Sequence, residues 1–216
     1  MVRMNKMVAC GMLLLALAGC NFVEALSSGK GTIKAEATLP PKAKVLVFVD
    51  PRPQTQMTPE SEALLAEAIM NHLWKYKAAD NFVPQQQVVL ARARHAEAND
   101  FAAAAGKVGT ADVARETGAD VVIHVDVVDY MMPQLSESQI TIGYATVLVK
   151  VMDKNGKRIF PDPTDALGRQ IDANIPFQVN DQTSSTTVDQ KLSALLAMRI
   201  GRMFHDYDGD DRSIAK

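Results

Sequence analysis

The sequence predicts an α/β (α+β) fold: a single mixed β-sheet with crossover helices in the first half, antiparallel hairpins in the second, and a closing C-terminal helix. Three observations predict it. Two valine-rich runs read as strands: Lys44 to Asp50, almost continuous in apolar residues as a buried strand is, and Val121 to Val128, apolar at every odd position and mixed at the even ones. Helical periodicity fills the interval between them, which allows parallel pairing through crossovers. Beyond Val128 the pattern alternates with period two and contains Asn155-Gly156, a strong short hairpin signal, before a last amphipathic stretch.

Each element has its own warrant. Lys44 to Asp50 is bounded by Pro51 and Pro53, so the first buried strand ends there. Thr58 is placed to cap a helix, with Pro59 at its first position and Glu60 and Glu62 in its first turn. Leu65, Ile69, His72 or Leu73, and Tyr76 recur at spacings of three and four, so one face of a helix to about Lys77 is apolar. Asn81 to Pro84 reads as a short strand and its stop. Gln85 to about Asn99 is helical in pattern, with Val89, Ala93 and Ala96 on one side; Phe101 to Gly106 fits helix or loop. Thr110 is read as the cap of a helix over Ala111 to Thr117, with Gly118 just past its end.

Val121 to Val128 is the strongest strand, apolar at every odd position. A second long strand spans Ile140 to Met152, and Arg158 to Phe160 returns after the hairpin. Ile171 to Val179 alternates, with Ile171, Ala173, Ile175 and Phe177 on one face and Pro176 marking an edge. Ser184 to Thr187 offers caps for a last helix to about Tyr207, whose inner face is Val188, Leu192, Leu195, Leu196, Ile200, Met203 and Phe204.

The N-terminus carries the clearest chemical signal. Arg3 and Lys6 precede an apolar run, Met7 to Ala18, and Leu17-Ala18-Gly19 precede Cys20. That is the form of a bacterial lipoprotein signal, in which the cysteine is acylated and becomes the first mature residue. The run is about a dozen residues, short of the ~20 that cross a bilayer as a helix. Cys10, with little apolar sequence before it, is the alternative acylation site. The expected organisation is a signal over 1–19, an acylated cysteine and flexible tether over 20–43, one α/β domain over 44–207, and a charged tail over 208–216. As a coil, a tether of about 23 residues spans roughly 26 Å.

Composition narrows the function. The 216 residues are 47% apolar and 22% charged, with net charge −2; loss of Arg3 and Lys6 with the signal takes it to −4. This balance argues against nucleic acid, whose binding requires a concentrated basic face. Cys10 and Cys20 are the two cysteines, so the domain has none for a disulfide or a thiol nucleophile.

Histidines 72, 95, 124 and 205 show no metal-ligand spacing. His124 and Asp126 lie two apart on one strand face, a candidate acid–base or metal pair beside the plainer reading of a half-solvated sheet face. Gly106-Lys107-Val108-Gly109-Thr110 lacks phosphate-loop spacing, and the acidic run from Asp206 lacks the glycine and glutamate of a calcium loop. No cofactor is expected. Met131-Met132 is read either as core filler or as an apolar contact point for a partner.

The order of elements, with Val45 to Val49, Phe82-Val83-Pro84 and Thr117-Gly118-Ala119-Asp120 entering a valine-rich strand, resembles the periplasmic domain of CsgG-like lipoproteins. A similar layout occurs in the TolB amino-terminal domain and in lipoprotein activators of penicillin-binding proteins. Gly143 to Asp153 with the Asn155-Gly156 turn, and the closing helix ending in Ile200 to Tyr207, fit as well. The resemblance implies a protein that acts by binding, with no catalytic residue carried over. Two departures qualify it. The link at 130–138 is short and holds Pro133, Ser136 and Glu137, unlike the long hairpins of CsgG-type pores, and the tether is shorter than those of the penicillin-binding-protein activators.

The expectation is a non-catalytic lipoprotein of the envelope, held to a membrane through Cys20, most simply the outer membrane facing the periplasm, because Asn21 and not aspartate follows the cysteine. Its partner would be an envelope protein or a second copy. The alternative is a small-molecule or metal-dependent periplasmic enzyme with a site near His124 and Asp126.

Overall fold

In chain order the computed structural model contains β1 (Thr32–Ile33), β2 (Val45–Pro51), α1 (Pro59–Lys75), α2 (Gln85–Ala98), α3 (Thr110–Thr117), β3 (Val121–Met131), β4 (Ile140–Asp153), β5 (Arg158–Phe160), β6 (Arg169–Gln178), α4 (Ser185–Gly201) and β7 (Tyr207–Asp208). It describes residues 31–98, 109–131, 140–165, 167–178 and 184–209. Cys20, Met132 and the Phe101 to Gly106 stretch lie outside these residues. Among the described residues no helix is long and apolar enough to cross a membrane.

The larger unit, Ala35 to His205, is built on one mixed sheet. β2 and β3 pair in parallel from Val45↔Val121 to Pro51↔Val127; β3 and β4 pair antiparallel; β4 then carries β5 and β6 along its other side. The fold class read from the sequence is the one observed.

The odd-numbered residues of β2 and β3 point into the main core. Val45, Val47, Val49, Ile123, Val125 and Val127 pack with Val147 and Val149 of β4 beneath Leu65, Ile69 and Leu73 of α1 and Leu192, Leu196 and Ile200 of α4. The even side forms a smaller core, Leu46, Phe48 and Val122 against Val88 and Ala91 of α2 and Val113 and Ala114 of α3. A strand covered on both faces needs apolar residues at odd and even positions alike, which explains the valine runs. A bulge between Val127 and Asp129 reverses the alternation, so that Tyr130 enters the main core although its number is even.

Local chemistry sets the boundaries. Thr58 Oγ1 accepts from the Ser61 amide at 3.2 Å and caps α1; Ser184 Oγ accepts from the Thr187 amide at 3.1 Å and caps α4. Gly118 ends α3 in the left-handed region at φ 66°, as its position predicts.

Several expectations need correction. Val89 is 60% exposed and Ala93 is exposed, while Val88 and Ala91 face inward: the apolar run Val88 to Ala91 supplies residues to every side of the helix, and docking on β2 selects the face. Gly109, not Thr110, is the N-cap of α3. The Asn81 to Pro84 strand is reduced to a single parallel bridge, Phe82 to Val45. Tyr76 is the exposed C-cap of α1. α4 stops at Gly201, six residues short of Tyr207, though Met203 and Phe204 remain buried. Of the stretch read as the far end of the tether, Leu39 and Ala43 are buried in this core, and the Ala37 amide donates to the Met203 carbonyl at 2.9 Å.

The smaller unit comprises residues 1–34 and 206–216. Its described part is a two-strand ribbon in which β1 pairs antiparallel with β7, Thr32↔Asp208 and Ile33↔Tyr207, flanked by a Lys34–Asp206 ion pair at 2.7 Å. Asp208, assigned by sequence to the tail, is therefore a strand residue.

Candidate functional site

The parallel register of β2 and β3 sets Phe48 beside His124 and Asp50 beside Asp126. His124 takes its carboxylate neighbour from the adjacent strand, Nε2 lying 3.4 Å from Asp50 Oδ2. Its ring stacks on Phe48, 5.8 Å between centroids and 18° between planes. Asp126, the neighbour expected along the strand, is engaged elsewhere: Arg52 grips it with both arms, Nε to Oδ1 at 3.0 Å and Nη2 to Oδ2 at 2.8 Å. This fork is the strong geometry for a guanidinium and a carboxylate, and the hydrogen bonds to Asp126 raise the Arg52 pKa further.

That pairing limits the chemistry. With both oxygens on a cation, Asp126 is poorly placed as a base, and 3.4 Å is a long contact for a proton relay. Among the described residues no group of three or more His, Cys, Asp or Glu is arranged to hold a metal. His124 Nδ1 is buried without a hydrogen-bond partner among them.

A cleft of about 260 Å³ lies nearby, between the start of α1, β2 and α2, lined by Pro59, Glu62, Ala63, Gln85, Val88 and Arg92 among others. Neither His124 nor Asp126 lines it. Arg92 fills one wall: its guanidinium lies 3.9 Å from the Phe48 ring centre, donates to Glu62 Oε2 at 2.8 Å, and donates to the Val49 carbonyl. Burial raises the Glu62 pKa, with Asp50 adding to the rise, even though Arg92 pulls it down.

The second candidate is a surface. The even side of β4 and β6 carries residues that α2 and α3 do not cover. Register places Met131 opposite Tyr144, Tyr144 opposite Asn174, and Ile142 opposite Pro176. Met131 is 44% exposed and Ile142 57%, and Tyr144 between them donates its hydroxyl to Asp129, which raises its pKa. Met131, Ile142, Tyr144 and Pro176 thus form a strip of neighbouring apolar positions on this side of the sheet.

No protein-family model matches the chain, and no curated protein matches it. Among solved structures, the PelC dodecamer from Paraburkholderia phytofirmans is similar at 14% identity and TM-score 0.39, over 78% of this chain and 96% of that one. The lipoprotein GNA1162 from Neisseria meningitidis is similar at 14% identity and TM-score 0.41, over 73% and 97%. The LpoB C-terminal domain from Salmonella enterica is similar at 15% and 0.33, over 64% and 85%. With TM-scores below 0.5, these likenesses transfer no role to this chain.

The sheet edges bear on how the strip is used. The outer side of β2 is occupied: Val45 exchanges hydrogen bonds of 2.9 Å with Asn81 and Val83, Gln85 Nε2 donates to the Val47 carbonyl at 3.2 Å, and Arg92 takes that of Val49. On β6, Pro176 withholds an amide and Arg199 donates to the Asp172 carbonyl. Sequence reasoning named Met131 as a possible contact point and Pro176 only as an edge marker, and it missed Asp50, Arg52, Ile142 and Tyr144 as site residues. Asp50 and Arg52 lie 74 residues before their partners, and no short-range pattern marks such a pair.

Proposed function

We propose that the chain is a lipid-anchored envelope protein that acts without catalysis, binding another protein through the strip Met131, Ile142, Tyr144 and Pro176. The observation that carries the reading is Leu17-Ala18-Gly19-Cys20 at the end of a short apolar run behind Arg3 and Lys6. Cys20 would be acylated, residues 1–19 removed, and the first part of 20–43 would serve as the tether. Asn21 after the cysteine fits the outer membrane, facing the periplasm. Guarded edges favour contact through the sheet face over strand addition, and the strip is apolar enough to support it.

The anchor and the binding are tested separately. Cys20→Ala should move the protein from the membrane fraction to the soluble periplasm, and mass spectrometry of the wild-type N-terminal peptide should show the lipid on Cys20; retention of the variant on the membrane, or an unmodified Cys20, overturns the anchor. A photo-crosslinker at Ile142 should capture an envelope protein or a second copy, while one at Trp74, which is also exposed, should not. Equal capture at both positions, or none at Ile142, overturns the binding surface.

A further inference from the structure

His72, in the last turn of α1, and His205, after α4, bring their Nε2 atoms to 3.0 Å of one another. Both belong to the larger unit. Tyr76 holds the pair: its ring is 4.2 Å from that of His205 and within 3° of parallel, and 4.6 Å from that of His72. On its other side His72 lies against the backbone of α4 at Gly201, where an added Cβ would fall 2.0 Å from His72 Cδ2. Glycine costs about 1 kcal/mol in a helix relative to alanine, and here it provides the room the ring occupies. Two imidazoles are therefore fixed with their Nε2 atoms converging.

We propose that His72 and His205 form a binding site for a divalent transition metal of the class that favours imidazole, such as Zn²⁺, Cu²⁺ or Ni²⁺. Imidazole nitrogens bind such ions at about 2.0–2.1 Å. At that length two ligands at right angles stand about 3 Å apart; the ring centroids are 5.2 Å apart, so the nitrogens face each other nearly head-on, and binding requires both rings to tilt as the pair opens by a few tenths of an ångström. Lys75 and Arg202 act on His72 through their positive charge, which opposes a dication, so an anionic ligand from outside, such as a carboxylate, would complete the site better than a neutral one. The pair supplies two ligands, and in this proposal water or an external donor supplies the rest. The competing account is a hydrogen bond between two neutral imidazoles with no role in metal binding.

The test uses the purified chain, stripped with chelator and titrated with Zn²⁺ alone by calorimetry. One saturable Zn²⁺ per chain is expected. His72→Asn and His205→Asn should each weaken it at least about tenfold, and His124→Asn should leave it unchanged. Gly201→Ala should weaken it too, since it displaces the His72 ring while keeping both imidazoles. Absence of a saturable site, undiminished affinity in His72→Asn or His205→Asn, or loss in His124→Asn overturns the proposal. Should the histidine variants fail to fold, paramagnetic resonance of Cu²⁺ on the wild-type chain decides: splitting from two imidazole nitrogens supports the site, and splitting from one or none overturns it.

Discussion

Asp189, near the start of α4, accepts two hydrogen bonds that tie three elements together. Ser61 of α1 donates to Oδ2 at 2.7 Å, and the Tyr130 hydroxyl of β3 donates to Oδ1. Tyr130 is 1% exposed and Ser61 is buried. Burial, then the bond to Asp189, raises the phenol pKa, so Tyr130 stays a donor across any pH at which the fold is studied. Asp189→Ala removes both bonds, although Ser61 Oγ keeps its contact with Thr58 Oγ1 at 3.2 Å. Hydrogen bonds to a charged group contribute about 1.5–3 kcal/mol each. Asp189 itself is only half-buried, so the lower figure applies, and the pair comes to about 3 kcal/mol. For a domain of this size that lowers Tm by roughly 6–12 °C. Tyr130→Phe removes one of the two bonds and should cost about half as much, and the double variant should lose less than the sum. Urea denaturation followed by circular dichroism measures all three, with an unchanged slope as the check on comparability. A loss below about 1 kcal/mol in Asp189→Ala, or full additivity with Tyr130→Phe, would refute the reasoning.

Two further outcomes follow from particular residues. Gly118 sits at φ 66° with open space where a Cβ would go, so Gly118→Ala meets no neighbour and costs only the left-handed backbone penalty, about 1–2 kcal/mol by urea denaturation, with Gly118→Asn costing less. Burial raises the Glu62 pKa above its ordinary 4.5, so just above that pH the folded chain keeps a proton that the unfolded chain releases, and this group's contribution to stability declines as pH rises. The stability of wild type relative to Glu62→Gln should therefore fall with pH from about 4.5 upward and then level off; a difference that rises with pH over that range contradicts the assignment.

The elements that could be read from sequence are those whose cause is local. The valine runs of β2 and β3, the Asn155-Gly156 hairpin, the caps at Thr58 and Ser184 and the glycine after α3 all act within a few residues. The misread features depend on what lies across the fold. α2 has apolar residues all round at Val88 to Ala91, and β2 decides which two turn inward. α4 ends at Gly201, where His72 of another helix occupies the space beside it. The β1–β7 ribbon joins stretches from opposite ends of the chain, and two-residue strands leave no periodic trace. At the candidate site, His124 was legible as a polar residue in an apolar strand. Its company was not, because parallel pairing brings in Asp50 and Arg52, whose surroundings in the sequence read only as a strand end and a loop.

The guarded edges of the sheet acquire a particular weight for a chain attached to a membrane. Molecules confined to a surface meet one another at an effective concentration far above that of the same number free in the surrounding volume. An unprotected strand edge, harmless in dilute solution, would there recruit neighbour after neighbour into a growing ladder. If the chain is held at a membrane as proposed, Gln85 and Arg92 along β2, with Pro176 and Arg199 along β6, would oppose such pairing at those two edges.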